Sequence, residues 1–386
     1  MLYLVLLFLI VLFLIIEKAL HERRIKRIPI RIHVNGTRGK SSVVELVASS
    51  LRENGIRTLA KTTGTTPLVI DPDGHEQVVP RRGPSRIQEQ VRFVRKAARM
   101  KVDAMVVECM AIDPQLQWVS EMRMIQSTIG VITNVRQDHF EAMGKGLDDI
   151  AESLGEGIPE NGILVTADRR YFDVLSSKAR RKNTRTYLAG ETEREANPPW
   201  GHPLFFEENL WITQEVCSHL GLPSPAGLSY SRDEIPEKAH PRVLRMRSGA
   251  RTFYLVDAFS ANDIDSARII QQMITNESCC PRPYVALLNN RADRPLRMLS
   301  FASFLSQESI YDLIIVTGDL QRMTKRVIRR EGGRTPLVTS KSQEPGKLIE
   351  EIGQNIPSSE LTIVGMGNFR GAGERLSRFF RERGRP

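Results

Sequence analysis

The stretch His33-Val34-Asn35-Gly36-Thr37-Arg38-Gly39-Lys40-Ser41-Ser42 follows an apolar run of strand length and opens a helical pattern. Gly36 and Gly39 permit backbone angles closed to other residues and let the chain approach a ligand closely. The amides that begin the following helix carry its partial positive charge and form an anion site. Lys40 is placed to reach the β and γ phosphates of a nucleotide, and the Ser41 or Ser42 hydroxyl to ligate Mg²⁺. The complete pattern G-x-x-x-x-G-K-[ST] would need glycine at position 34, where this chain has Val34. The match is therefore partial, and the strand before and helix after it make Asn35–Ser42 a phosphate loop for ATP.

Outward from the loop, continuous apolar runs alternate with amphipathic patterns. Ile28–Val34, Ala104–Cys109, Thr128–Val135 and Gly162–Thr166 read as strands. Ser41–Asn54, Ile87–Met100, Asp113–Glu121 and Leu147–Leu154 read as helices between them. Runs without polar alternation fit parallel strands covered on both faces. Ile28–Val34 is less clean, because Arg31 and His33 interrupt it. The rhythm predicts an open, mostly parallel α/β sheet. It breaks from Ala189 to His240, which holds one helical island near Phe206–Leu220. A second α/β series follows with strands at Thr252–Phe259, Tyr284–Asn289, Leu313–Thr317 and Leu361–Val364. The expected domains are 1–27, 28–240 and a smaller Rossmann-like unit, 241–386.

The amino terminus differs from the rest. Met1 to Ile16 is unbroken apolar or aromatic sequence, followed by the basic flank His21–Arg27. Sixteen helical residues fall somewhat short of a hydrocarbon core of about 30 Å. Ala19 and Leu20, with Lys18 snorkelling, bring the span close. No charge precedes the run and no Ala-x-Ala follows it, so a retained anchor is expected over a cleaved signal. The positive-inside rule then places everything after Ile16 in the cytoplasm. The formal charge of +10 suits anionic partners, and basic clusters lie at His21–Arg27, Arg81–Arg86 and Arg378–Arg385. The first two clusters hold no aromatics and the third holds only the adjacent Phe379 and Phe380, which argues against a nucleic-acid platform. The four cysteines show no paired spacing, excluding a secreted disulfide frame or zinc ribbon.

Other stations carry chemistry. Val106-Val107-Glu108-Cys109 puts a carboxylate at the end of a buried strand, where ligands bind in doubly wound sheets and where a charge needs a partner or metal. Ile132-Thr133-Asn134-Val135-Arg136-Gln137-Asp138-His139-Phe140 is followed by Met143-Gly144. Arg242 precedes Asp257 by fifteen residues.

Gly36-Thr37-Arg38-Gly39-Lys40-Ser41 resembles the G-T-N-G-K-[ST] loop of the Mur ligases and folylpolyglutamate synthases, with Arg38 in place of their usual Asn. The resemblance implies that Glu108 and His139 bind Mg²⁺ together with Ser41, that Asp138 neighbours the metal, and that Asn134 belongs to the nucleotide site. Phe206-Glu207-Glu208-Asn209-Leu210 is similar to the family helix whose Asn contacts adenine, which implies that role for Asn209. Val256–Asp263 is similar to D-x-x-x-A-N-P, implying that Asp257 holds the ribose and Arg242 reaches the phosphates. The family's carbamylated lysine has no counterpart in Asp148–Leu154, and Glu152 or Glu156 is a candidate replacement. An anchor fused directly to such a core, with no UDP-binding domain expected before the loop, resembles the poly-γ-glutamate synthase B subunits of capsule synthesis. That resemblance implies ATP and Mg²⁺ as cofactors. It implies an amide ligase that activates a γ-carboxylate as an acyl phosphate for attack by glutamate. It also implies small membrane subunits as partners, and leaves a homo-oligomer open. Arg81, Arg82 and Arg86 are candidates to hold the polyanion. The alternatives are a folylpolyglutamate-synthase-like ligase for a small soluble acid and a membrane-anchored nucleotide switch or ATPase.

Deleting residues 1–16 is expected to move the protein from the membrane pellet to the soluble fraction; continued pelleting would place the anchor elsewhere.

Overall fold

A computed structural model describes residues 2–64, 67–80, 83, 86–136, 143–144, 146–190, 207–223, 242–259, 263–276 and 280–383. These fall into two compact units, one ending at Pro223 and one starting at Arg242.

The first unit opens with helix α1, Leu2–Lys26. It then contains β1 (Ile30–Asn35), α2 (Lys40–Glu53), β2 (Thr58–Lys61), β3 (Leu68–Ile70), β4 (Glu76–Val78), α3 (Gln88–Met100), β5 (Ala104–Glu108) and α4 (Pro114–Val119). After a π-helical turn at Ser120–Ile125 come β6 (Ile129–Ile132), α5 (Leu147–Gly155), β7 (Ile163–Thr166), α6 (Phe172–Arg181), β8 (Arg185–Leu188) and α7 (Glu207–His219). The sheet order is β4-β3-β2-β5-β1-β6-β7-β8. All neighbours are parallel except the β2–β3 and β3–β4 pairs. The strand β1 lies between β5 and β6, and the chain passes from one side of it to the other after β5. Its carboxyl end is thus the switch point where open α/β sheets bind ligands.

The β1 strand begins two residues later than its apolar run suggests, because Pro29 cannot donate to a ladder. The two interrupting polar residues are explained by their partners. Arg31 donates to the Gln126 and Ile28 carbonyls at the entry of the strand. His33 is buried against Glu121 on the π-helical turn. The helix expected to run from Asp113 to Glu121 is α4 alone, capped by Asp113 accepting from the Gln115 and Leu116 amides. It passes into the π-helical turn, which brings Glu121 under β1.

The α1 helix extends well past the apolar run. Its residues up to Leu20 are exposed, but His21 and Ile25 are buried. The His21 Nε2 lies 3.0 Å from the Met124 carbonyl, and Ile25 joins a core cluster with Ile28, Leu59, Phe93, Val94 and Met105. The supposed basic flank is therefore the root of the helix in the first unit. Nineteen exposed residues rise about 28 Å, nearer to a bilayer core than the apolar run alone. The helix is long and apolar enough to cross a membrane. On the other face of the sheet, Val43, Val44 and Val47 of α2 meet Ile212 and Val216 of α7.

The second unit contains β9 (Arg242–Ser248), β10 (Arg251–Asp257), α8 (Ile264–Asn276), β11 (Tyr284–Asn290), α9 (Pro295–Gln307), β12 (Leu313–Gly318), α10 (Gln321–Arg330), β13 (Leu337–Thr339), α11 (Pro345–Asn355), β14 (Glu360–Gly367) and α12 (Ala372–Arg383). Its order is β13-β12-β11-β14-β10-β9, parallel except for β9 against β10. Phe253, Leu255, Leu287, Ile315, Ile363 and Phe380 fill its core. This is the expected Mur-ligase-like α/β architecture with a Rossmann-like carboxyl-terminal sheet. The β9 strand falls where the sequence rhythm suggested only a boundary.

Replacing Ile25, only 1% exposed, by Ala should cost about 2–5 kcal/mol. The measurement is thermal unfolding of the full chain in detergent; an unchanged midpoint would detach α1 from the core.

Candidate active site

Residues 36–39 leave the carboxyl end of β1 and pass into α2. Gly36 sits at φ +124° and Gly39 at +80°. A Cβ on Gly36 would come within 2.1 Å of Thr133 Oγ1, and one on Gly39 within 2.6 Å of Asn209 Oδ1. Both the conformation and the space therefore demand glycine. The loop is held from behind. Asn35 Oδ1 accepts the Gly36 amide, and its Nδ2 donates to Gln117 Oε1. Asn134 Oδ1 accepts from Thr37 Oγ1 at 2.8 Å and from the Arg38 amide at 3.1 Å, while its Nδ2 donates to the Arg38 carbonyl. The Thr37 amide donates to the Asn134 carbonyl, and Thr133 Oγ1 donates to the Arg38 carbonyl. Asn134 therefore shapes the loop.

The chemistry-bearing groups converge on the outer side. Lys40 Nζ bends across the loop to the Gly36 carbonyl at 2.6 Å and the Thr37 carbonyl at 3.2 Å. Ser41 Oγ donates to Glu108 Oε2 at 2.7 Å, and the Thr63 amide donates to the same oxygen at 2.6 Å. Glu108 is 4% exposed, and among the described residues its Oε1 has no hydrogen-bond partner. A carboxylate that lines a cavity and already accepts from a serine hydroxyl fits a hard divalent cation such as Mg²⁺. Lys40, Thr63 and Glu108 line a cavity of about 210 Å³ together with Asn35, Gly36, Thr37, Cys109, Ile112 and Met143.

Ser42 lies in the first turn of α2, and Arg38 donates to the Thr37 carbonyl. Asn209, on α7, is buried, with its amide oxygen against Gly39. Asp138 and His139 lie outside the described residues, as do Arg81 and Arg82 of the proposed polyanion cluster; Arg86 is exposed. In the second unit, Arg242 of β9 stands directly opposite Asp257 of β10 in the ladder. The Asp257 carboxylate lies 3.6 Å from Arg381 of α12. The candidates for the missing lysine are engaged otherwise, because Lys178 ion-pairs both Glu152 (2.7 Å) and Glu156 (2.9 Å), and neither lines the cavity.

Sequence reasoning missed Gln117, Thr63 and Thr133, which act through the loop or Glu108. It also missed the Arg136–Glu208 pair (2.9 Å) that ties α7 to the segment after β6. Asp168 accepts the Val135 amide and fixes the same segment. Only the clustering of polar residues at strand ends hinted at them. Beneath the loop, His33 Nδ1 bonds Glu121 Oε2 at 2.7 Å. Burial pushes this imidazole down, but the Cys109 sulfur and the Glu121 carboxylate outweigh it and raise the pKa to about 10. Glu121 also accepts from the Ser127 amide and hydroxyl.

Residues 34–202 match the model of the Mur ligase middle domain, and residues 243–383 that of the poly-gamma-glutamate synthase CapB C-terminal domain. The chain is 30% identical over 365 residues to the capsule biosynthesis protein CapB of Bacillus anthracis, covering 93% of this chain and 78% of that protein. It is 30% identical over 368 residues to the PGA synthase CapB of Bacillus subtilis, covering 94% and 92%. Among solved structures, it superposes on a bifunctional folylpolyglutamate synthase/dihydrofolate synthase from Yersinia pestis complexed with AMPPNP and Mn ion (TM-score 0.69, 12% identity, 94% and 91% covered). It also superposes on the Mycobacterium tuberculosis folylpolyglutamate synthase complexed with ADP (TM-score 0.65, 18% identity, 94% and 93% covered).

The raised His33 pKa has a stability signature. A histidine whose pKa rises on folding adds stability that is complete below its unfolded pKa, about 6.5, and fades as pH climbs through the folded value. Glu121→Gln should therefore lower the unfolding midpoint most near pH 6, with the gap from the parent chain narrowing toward pH 10. A pH-independent gap would mean that His33 is neutral.

Proposed function

The chain belongs to the family of poly-γ-glutamate synthase CapB proteins, and on that premise we propose that it lengthens poly-γ-glutamate at the expense of ATP. It is an ATP-dependent ligase of Mur type. The observation that carries the proposal is that Lys40 and Glu108 line the cavity beside the loop, with Ser41 bonded to the Glu108 carboxylate.

In the proposed reaction the triphosphate lies along residues 35–42, where the first amides of α2 face its oxygens. A γ-carboxylate oxygen of the acceptor attacks the γ-phosphorus, ADP departs, and an acyl phosphate forms. The glutamate amine attacks its carbonyl carbon, phosphate leaves, and the amine proton is lost as the amide forms. Lys40 swings from its loop carbonyls to the β and γ phosphates and offsets the charge that develops in transfer. Glu108 and Ser41, with His139, would hold Mg²⁺, whose chemistry is charge neutralisation on the phosphates. Asn209 is the proposed adenine contact, Asp257 the ribose contact, and Arg242 a phosphate contact from the second unit. Ser42, Arg38 and Asn134 complete the nucleotide cradle. The proposed domain limits remain 1–27, 28–240 and 241–386. Glutamate and the growing chain are the proposed substrates. Small membrane subunits are the proposed partners of α1, which tethers the catalytic units on the cytoplasmic side.

Membranes carrying the full chain should incorporate glutamate into a γ-linked polymer only with ATP and Mg²⁺. Lys40→Ala should lower this incorporation by at least about a hundredfold, the scale of losing one charged transition-state contact, without shifting the unfolding midpoint. A pteridine-linked product would favour the folate-type alternative. ATP hydrolysis indifferent to any amino acid would favour the switch and overturn the ligase reading.

A further inference from the structure

The α10 helix of the second unit is unusual in charge. Within its ten residues, Gln321–Arg330, stand Arg322, Lys325, Arg326, Arg329 and Arg330, and no acid. Their spacing of 3, 4, 7 and 8 residues from Arg322 places all five on one face, and all five are exposed. The opposite side turns Thr324 and Ile328 inward. None of the five has an ion-pair partner among the described residues; Arg329 donates only to the Gly333 carbonyl. Like charges three and four apart repel one another and destabilise a helix. An acid paired with the stripe would relieve the repulsion, but among the described residues none is, and the adjacent Glu331 accepts from Ser306 instead.

The stripe has a direction. The helix starts just beyond the carboxyl end of β12, with Leu320 as its N-cap. Arg322 lies one turn from that edge, and Arg330 stands about 12 Å farther along the axis. The same edge of the sheet gathers polar groups that the nucleotide reading does not use. Asn289 Nδ2 donates to the Asn368 and Arg370 carbonyls, and Arg297 donates to Asn368 Oδ1. Strand carboxyl ends are where such sheets take their ligands. A chain leaving this edge would therefore meet a row of cations.

We propose that the exposed face of α10 is an electrostatic track for the growing acidic polymer, outside the catalytic cavity. This rests on the ligase reading above. A polymer with one carboxylate per residue complements a row of unpaired cations. Many weak exposed pairs hold such a chain without fixing its register, so it can advance by one residue after each addition. Retention raises the effective concentration of the chain end. An anionic lipid surface fits less well. A helix lying on lipid presents an apolar face, whereas Met323 is the only large apolar residue that α10 exposes.

The test uses the full chain in zwitterionic nanodiscs and the variant Arg322→Gln, Lys325→Gln, Arg326→Gln, Arg329→Gln, Arg330→Gln. With a long poly-γ-glutamate acceptor, KM should rise about tenfold or more, the sum of several weak pairs, at unchanged kcat. With a γ-glutamyl trimer, both constants should be unchanged. The five-lysine version should behave as the parent chain, because the track needs charge and not guanidinium geometry. Removing the repulsion should leave the unfolding midpoint equal or higher, which separates the effect from misfolding. Hydrogen exchange of α10 should slow when polymer is added. Equal long-acceptor KM values in the parent and the variant, with no slowing of exchange, would overturn the track. Slowing by phosphatidylglycerol discs alone, and not by polymer, would assign the face to lipid and also overturn it. If the parent extends neither acceptor, the ligase reading fails, while exchange with added polymer still decides the track.

Discussion

Four residues without regular secondary structure must hold their amides at the mouth of β1, and the first unit is organised around that constraint. Unpaired backbone groups in a buried loop are costly. The Gly36 amide is satisfied by Asn35, the Thr37 amide by the Asn134 carbonyl and the Arg38 amide by the Asn134 side chain. The curve of the loop is therefore set by protein groups before any anion arrives. The orphan amides at the start of α2 are the ones left for a ligand. Preorganisation of this kind lowers the ordering cost of binding. The His33–Glu121 pair extends the same logic downward, joining the strand that carries the loop to the π-helical turn that ends α4.

The geometry of the loop after β1 and of the Glu108 station was legible because both sit at strand ends and use residues with one physical purpose. Glycines at positive φ, a lysine and a carboxylate on a buried strand each demand an explanation that packing alone does not offer. Gln117, Thr63 and Thr133 were not legible. They reach the site through the fold, from a helix, a strand end and the far side of β1, and nothing in their local sequence sets them apart from ordinary polar residues. Arg242 and Asp257 lie between these cases. Their sequence separation hid the simple reason for their relation, which is that β9 and β10 form an antiparallel pair with the two residues directly opposite.

The sheet as a whole followed from continuous apolar runs, whereas the edges did not. The β3 and β4 strands are three residues each, too short to display a period. The β9 strand reads Arg-Val-Leu-Arg-Met-Arg-Ser, an alternating edge strand whose basic positions resemble a linker. At the other end of the chain, the basic residues His21–Arg27 read as a flank of the apolar span. Packing of His21 and Ile25 makes that flank part of the first unit's core instead.

Because α1 enters the core of the first unit without an intervening linker, that unit stands on its helix as a cantilever. Were the apolar half of α1 sunk in a bilayer, the height and tilt of the cavity above the lipid would become fixed quantities instead of a distribution. Any neighbouring membrane protein would then meet the enzyme at one standoff distance. Inserting a few flexible residues after Lys26 would change the geometry of that encounter while leaving every contact inside the cavity intact.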